Sequence, residues 1–274
     1  RWGFRPSLPC WRSSPNLAPV PSYALCFHVS AELPAGTVGY YPGPICAGVN
    51  SVDVNIFGVG GHGAMPHKTI DPIVLAARII LDYQTIVSRE INPMSPAVVT
   101  VGSIHGGTKH NIIPPEVDLQ LTIRFFTDEI YQQIIAALER ISKGVAYSAG
   151  LTDEQIPKIT VLKDYTPPVA NDPDLVNSVA ASMGNILGSS NIVKVDPSTV
   201  GEDFGRYGRT PEHVKIAFFW LGGVNPAKYA ESKAKNTILP SLHNGAFYPD
   251  FQPAYITGVT AMTRAVIDLL GNGN

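Results

Sequence analysis

A glycine-rich run with two histidines constrains this chain more than any other feature. It spans Gly58–Pro72 and reads G-V-G-G-H-G-A-M-P-H-K-T-I-D-P. Glycine has no Cβ and tolerates positive φ, so such a run lets the backbone approach another group closely. The run also presents His62 from a loop between a strand and a helix. Taken alone, it is explained equally well as a glycine-rich turn with an incidental histidine.

The residue pattern around this run predicts a compact α/β module over about Asn50–Leu162. Strands are predicted at Val52–Gly58, Ala97–Gly106, Val117–Thr127 and Ile156–Asp164, and helices at Asp71–Arg89 and Asp128–Ala149. An Asp is expected to cap each helix, and Pro72 suits a first helical position. The order strand, helix, strand, strand, helix, strand is that of a ferredoxin-like split βαβ sheet with two helices on one face.

The rest of the chain is typical of an α/β layer. Strands are predicted at Tyr23–Val29, Ile192–Val195 and Lys215–Gly222, helices at Asn171–Leu187 and Gln252–Leu270, and a loop or helix start at Gly201–Tyr207. Residues 1–22 are rich in proline and lack periodicity, so we interpret them as irregular.

Composition excludes several classes of function. A net charge of −2 gives no electrostatic basis for binding nucleic acid or an anionic membrane surface. No stretch approaches the roughly 20 apolar residues of a membrane span. Cys10, Cys26 and Cys46 have neither metal nor redox spacing. They fit a reduced compartment, and we expect a cytoplasmic location.

Candidate chemistry lies in three histidines and one acidic pair. His28 follows an apolar strand, His62 lies in the glycine run, and His243 lies in S-L-H-N-G-A-F. Neutral imidazole at strand ends and loop mouths is a common zinc ligand. Each histidine alone also fits a packing role. The pair Glu202–Asp203 also fits a helix start, because carboxylates are favoured at that end of the helix dipole.

Together, these motifs resemble the zinc-dependent amidohydrolase and aminoacylase family of metallopeptidases, especially hippurate hydrolases and indole-acetyl-amino-acid hydrolases. The similarity runs from about Ala24 to Leu270. It rests on F-H-V with L-P-A-G, G-V-G-G-H-G-A-M-P-H with D-P-I-V-L-A-A, Q-T-I-V-S-R, P-A-V-V-T-V-G-S-I, H-N-I-I-P, G-E-D-F and S-L-H-N-G-A-F. The resemblance implies a catalytic α/β domain holding a divalent metal, zinc or manganese, and an inserted ferredoxin-like lid that pairs with another subunit to form a homodimer.

The resemblance also implies a role for individual residues. His28 and His243 match metal ligands. His62 matches the lid histidine that reaches a partner's active site and stabilises the tetrahedral oxyanion. Asn111 matches the lid residue that holds the substrate's carboxylate or backbone, and Arg124 is a further candidate for carboxylate capture. Arg124 is equally explained as a solvated charge on a strand face.

The domains implied are an irregular segment at 1–22, a partial catalytic domain at 23–49 with 164–274, and a lid at 50–163. The family's Glu-Glu and Gly-His-Asp segments do not occur in this sequence. The Glu-Glu pair includes the general base for metal-bound water. We therefore expect an N-terminally truncated amidohydrolase of N-acyl amino acids or small peptides, in which metal-activated water attacks the amide and turnover is impaired. The alternative is a non-catalytic dimerisation or binding module derived from that family.

Overall fold

The structure is a computed structural model that describes residues 19–271, which form twelve β-strands and five α-helices. The strands are β1 (Tyr23–Pro34), β2 (Val38–Tyr40), β3 (Pro44–Phe57), β4 (Gly61–His62), β5 (Ala97–Gly106), β6 (Ile112–Ile113), β7 (Glu116–Phe125), β8 (Lys158–Val161), β9 (Val169–Ala170), β10 (Ile192–Lys194), β11 (Ser198–Gly201) and β12 (Lys215–Val224). The helices are α1 (Pro72–Thr85), α2 (Asp128–Ser148), α3 (Pro173–Leu187), α4 (Pro226–Lys235) and α5 (Phe251–Gly271). The predicted irregular segment 1–22 lies mostly outside the described residues.

The chain divides into two compact units. The lid unit comprises Ala47–Pro168 with Thr199–Gly201. The α/β unit comprises the described residues up to Cys46, Val169–Ser198, and the residues from Glu202 onward. The lid unit therefore interrupts the α/β unit in sequence.

In the lid unit, β3 lies at the centre of an antiparallel sheet. It pairs with β7 on one side and β8 on the other, and β5 pairs with the far edge of β7. Val52, Val54 and Ile56 alternate along β3 and are fully buried, as expected for a strand with one face on the core. The order β8-β3-β7-β5 is that of the split βαβ sheet, so the predicted ferredoxin-like fold is confirmed.

Helices α1 and α2 cover one face of this sheet and complete the lid core. Their buried side chains recur at the three- and four-residue spacing of an amphipathic helix: Leu75, Ala76, Ile79 and Tyr83 on α1, and Ile134, Leu138, Ile141 and Val145 on α2. The Tyr83 hydroxyl and the Ser142 hydroxyl hydrogen-bond at 2.6 Å in the buried interface. This contact ties the two helices together inside an apolar core.

Helix boundaries in the lid unit differ from the predictions in two places. Asp71 caps α1 as predicted, accepting from the Ile73 N–H at 2.9 Å. The cap of α2, however, is Thr127 and not Asp128, because the Thr127 hydroxyl accepts from the Ile130 N–H. The first helix ends at Thr85 and not at Arg89, because Ile86–Glu90 forms a π-helical turn.

The α/β unit contains the sheet order β1-β12-β2-β10. Strand β1 runs parallel to β12, and β2 parallel to β10, while β12 and β2 are antiparallel. Alternate residues of β12 enter two separate apolar clusters. Ala217 and Phe219 pack with α3 and α5, whereas Phe218 and Trp220 pack with residues such as Ile45. Strand β12 is therefore buried on both faces, as its continuous apolar sequence requires.

The α/β unit departs from the sequence predictions at the end of one strand and in one helix. The first strand runs on to Pro34, beyond the predicted end at Val29. Helix α4 was not predicted, although Asn225 caps it and Pro226 is its first residue. Asp172 caps α3, since its carboxylate accepts from the Leu175 N–H. None of the helices between residues 19 and 271 has the length and apolar character that crossing a bilayer requires.

Candidate functional site

The lid unit brings two of the predicted site residues together on a small ribbon. Strands β4 and β6 pair antiparallel, with His62 opposite Ile112. The Gly63 N–H extends the ribbon by donating to the Asn111 carbonyl at 2.8 Å. His62 on β4 and Asn111, which directly precedes β6, are far apart in sequence but belong to one backbone hydrogen-bond network.

Glycine is required at this ribbon because backbone groups of the chain itself lie very close. A Cβ on Gly63 would lie 2.9 Å from the Asn111 carbonyl oxygen and 3.0 Å from its carbon. A Cβ on Gly58 would overlap the Ile70 carbonyl oxygen. The close approach predicted from the glycine run is thus an approach of the chain to itself, and it sets the position of His62.

The His62 side chain is exposed and still hydrogen-bonded. Its Nδ1 accepts a hydrogen bond from the Ala64 N–H at 3.0 Å. Because this partner is a backbone group two residues away, the local sequence alone orients the imidazole ring. The other ring nitrogen, Nε2, points away from this bond.

Arg124 lies on β7, opposite Val49 of β3 and Val98 of β5. Its side chain is partly buried, and this desolvation lowers the pKa of its guanidinium from the ordinary value. No carboxylate of residues 19–271 lies within ion-pair distance of it. Arg124 is partly desolvated and has no acidic partner among the described residues. It is therefore better suited to bind an anionic group than a fully solvated arginine would be.

In the α/β unit, His28 lies on β1 opposite Trp220 of β12. Their ring centroids are 5.2 Å apart in an edge-to-face arrangement. Its Nδ1 lies 2.8 Å from the Val29 carbonyl, which can only accept, so Nδ1 carries the proton in the neutral ring. The Nε2 lone pair is then free, which is the arrangement of a metal-ligating histidine oriented by a backbone carbonyl.

Glu202 faces this nitrogen, with its Oε2 3.9 Å from His28 Nε2. It caps a short 3-10 turn, Asp203–Arg209, by accepting from the Phe204 N–H at 3.1 Å. Burial, together with the neighbouring Asp203, raises the pKa of the Glu202 carboxyl, and the hydrogen bond from the Phe204 N–H and the nearby His28 partly offset this rise. The interpretation of Glu202–Asp203 as a helix start is confirmed. The sequence did not reveal that Glu202 lies close to His28.

Two cysteines, Cys26 and Cys46, belong to the apolar cluster that contains Trp220, and both are poor metal ligands. Burial, followed by the charge of Glu202, raises the pKa of the Cys26 thiol to about 11 and that of Cys46 to about 12. Metal ligation requires the thiolate. Both thiols therefore remain protonated at neutral pH and serve as packing groups.

His243 lies in an exposed loop with a positive φ of 64°. This backbone conformation is uncommon outside glycine and is enriched at functional sites. Within residues 19–271 no group of three or more His, Cys, Asp or Glu side chains is arranged to hold a metal ion. A catalytic zinc needs about three protein ligands, so the described donors do not fit a complete metal site.

Known proteins resemble this chain in sequence and in fold. Residues 47–149 match the model of the M20 peptidase dimerisation domain. The chain is 34% identical over 195 residues to an N-acetyldiaminopimelate deacetylase of Leuconostoc citreum, covering 71% of this chain and 48% of the relative. It is 31% identical over 206 residues to thermostable carboxypeptidase 1 of Saccharolobus solfataricus, covering 75% and 50%. This chain thus spans about half the length of these curated relatives.

A solved structure shows the same likeness. A dinuclear metal-binding peptidase of the M20 family from Bacillus subtilis superposes with a TM-score of 0.67 at 26% identity, covering 90% of this chain and 57% of that one. The fold and these relatives define a class of hydrolases that act on amide bonds and bind metal. The chain belongs to the M20 family of metallopeptidases and amidohydrolases, and the resemblance drawn from the sequence is confirmed.

Proposed function

We propose that this chain belongs to an amidohydrolase that cleaves the amide bond of N-acyl amino acids or small peptides. The observation that carries the proposal is the β4–β6 ribbon, on which the backbones of His62 and Asn111 lie close together. Deacetylases and carboxypeptidases among the relatives act on such bonds. An acyl amino acid offers a carbonyl oxygen that becomes negative during the reaction and a carboxylate that must be held, which matches these residue types.

Each lid residue has a defined part in this proposal. His62 donates a hydrogen bond from Nε2 to the oxygen that develops negative charge. Asn111 binds the substrate's carboxylate or backbone through its side-chain amide. Arg124, partly desolvated and without an acidic partner among the described residues, attracts the substrate carboxylate.

We propose zinc or manganese as the cofactor, with His28 and His243 among its ligands. The free Nε2 lone pair of His28 supports this assignment. Because the described donors fall short of a complete site, we expect weak metal binding and slow turnover by this chain alone. A cytoplasmic location remains a prediction from the sequence.

We further propose a homodimer formed through the lid unit, with His62 reaching the active site of the partner. Apolar side chains on the outer face of α1 support this contact, since Val74 is 55% exposed and Leu81 is 70% exposed. The other edge of β5 carries no strand in the described sheet, so it is open to pairing with a second copy.

A second function is favoured by one observation. The lid unit has a complete sheet and core, whereas the described metal donors are too few. This combination also fits a non-catalytic dimerisation or binding module.

Hydrolysis and metal content separate the two functions. Purified chain is incubated with N-acetyl and hippuryl amino acids at saturating Zn²⁺ or Mn²⁺, and bound metal is measured after desalting. Slow release of amino acid with some retained metal supports the amidohydrolase. No release above the buffer rate and no retained metal supports the binding module, while turnover equal to a full-length relative contradicts the expected impairment.

A further inference from the structure

His62 begins a tight turn, and its own side chain helps to close it. The Met65 N–H donates to the His62 carbonyl at 2.8 Å, while the Ala64 N–H donates to His62 Nδ1 at 3.0 Å. The imidazole therefore plays the part that an Asp or Asn side chain plays in an Asx turn. Two hydrogen bonds therefore hold the turn His62–Met65, one to the His62 backbone carbonyl and one to its ring.

The Ala64 contact has a consequence for the proton on the ring. A backbone N–H can only donate, so Nδ1 must accept through its lone pair. In a neutral imidazole the proton is then on Nε2. We infer that the Ala64 backbone N–H is a positioning group that holds neutral His62 as the Nε2–H tautomer, so that Nε2 is a hydrogen-bond donor.

The ribbon keeps this arrangement rigid. The Gly63 N–H, between the histidine and its donor, binds the Asn111 carbonyl at 2.8 Å, and a Cβ at Gly63 would lie 2.9 Å from that oxygen. The turn therefore cannot shift without breaking the ribbon. A donor held in place in advance needs no reorganisation when charge develops on its partner.

His28 illustrates the opposite outcome in the same chain. There a backbone carbonyl accepts from Nδ1 at 2.8 Å, which leaves Nε2 as an acceptor. Backbone partners of opposite polarity thus set opposite tautomers: a ligand-type ring at His28 and a donor ring at His62. That His62 donates to a substrate oxygen rests on the proposed function, whereas its tautomer does not.

The test uses nitrogen NMR of the full chain with ¹⁵N-labelled histidine at alkaline pH, where imidazole is neutral. The chain has 7 histidines, and His62→Gln identifies the His62 signals. We expect Nδ1 of His62 without a proton, Nε2 with one, and a coupling across the hydrogen bond from the Ala64 amide to Nδ1. A His62 ring protonated mainly on Nδ1 overturns the inference.

Two substitutions at one position sharpen the result. Ala64→Pro removes the N–H, so a measurable share of the Nδ1–H tautomer is expected, while Ala64→Gly keeps the N–H and the wild-type spectrum. Identical tautomer populations in both variants contradict the inference. A locked Nε2–H ring in a chain that hydrolyses nothing leaves the inference standing and counts against the proposed function alone.

Discussion

At the scale of the residue, single backbone contacts determine the conformation of the β4–β6 ribbon. A Cβ added at Gly63 would lie 2.9 Å from the Asn111 carbonyl oxygen. A Cβ added at Gly144 on α2 would have no atom within 4 Å. These two glycines therefore offer a matched pair. Gly63→Ala is expected to destabilise the fold by about 1–3 kcal/mol, and Gly144→Ala to stabilise it by about 0.5–1 kcal/mol because alanine favours the helix. Urea unfolding of both variants measures this, and equal shifts of the midpoint contradict the required close approach.

Asn171 offers a second prediction at this scale. Its amide donates to the carbonyls of Tyr41 and Phe218, at 2.9 and 3.1 Å, and its oxygen accepts from the Phe218 N–H at 2.7 Å. Asn171→Ala leaves these buried groups without partners, which costs about 1–3 kcal/mol. The control, Asn92→Ala, removes one exposed contact with the Met94 N–H and is expected to change the unfolding free energy much less. A comparable loss in both variants contradicts the role assigned to Asn171.

At the scale of the element, the N-terminal cap of helix α3 makes stability depend on pH. Asp172 caps α3, and its pKa is lowered chiefly by the Leu175 N–H and also by Lys215, whose Nζ lies 3.2 Å away. A folded-state pKa below the unfolded value means that the charged cap stabilises the fold above the unfolded pKa. This contribution is lost as the pH falls through the folded pKa.

The variant Asp172→Asn keeps the capping oxygen but does not titrate. We expect it to melt below wild type at pH 7 and to approach wild type as the pH falls below the ordinary aspartate value of about 3.9. Thermal melting of both proteins across this range gives the result. A gap that is independent of pH shows that the Asp172 charge contributes nothing to stability.

Sequence reasoning predicted elements well where side chains repeat with a clear period. The strand at Ala97–Gly106 has the observed bounds, and the two lid helices were found from their apolar spacing. Strands β4 and β6 have two residues each, too few for any period, so their pairing was visible only in the structure. Helix α4 escaped because its sequence is largely polar, although the Asn-Pro start signals a cap.

The sequence identified candidate site residues but not how they are arranged in space. His62, Asn111 and His28 were found from motifs, and their assigned roles remain proposals. The contact between His28 and Glu202 joins residues far apart in sequence, and no local pattern encodes such a pair. The orientation of His62 depends on a backbone N–H, which every residue except proline provides, so the residue types gave no signal for it.

At the scale of the whole molecule, the lid unit is proposed to join two copies of the chain. Leu81→Glu places a charge on the exposed outer face of α1 and is expected to convert the dimer to a monomer without changing the melting of the protomer. Leu270→Glu on α5 is the matched control, since Leu270 is 76% exposed, and it is expected to leave the dimer intact. Analytical ultracentrifugation reports the mass, and a monomeric wild type contradicts the proposed assembly.

Hydrolysis of N-acetyl amino acids by wild type and His62→Gln, at saturating Zn²⁺ or Mn²⁺, tests the central claim most directly. His105→Gln is the control, because His105 is an exposed histidine on β5 of the same unit. Removing one donor to a developing oxyanion costs roughly 100-fold or more in rate. We therefore predict slow hydrolysis by wild type and His105→Gln, and a rate near that of buffer for His62→Gln. Equal hydrolysis by all three proteins would contradict the role of the lid histidine.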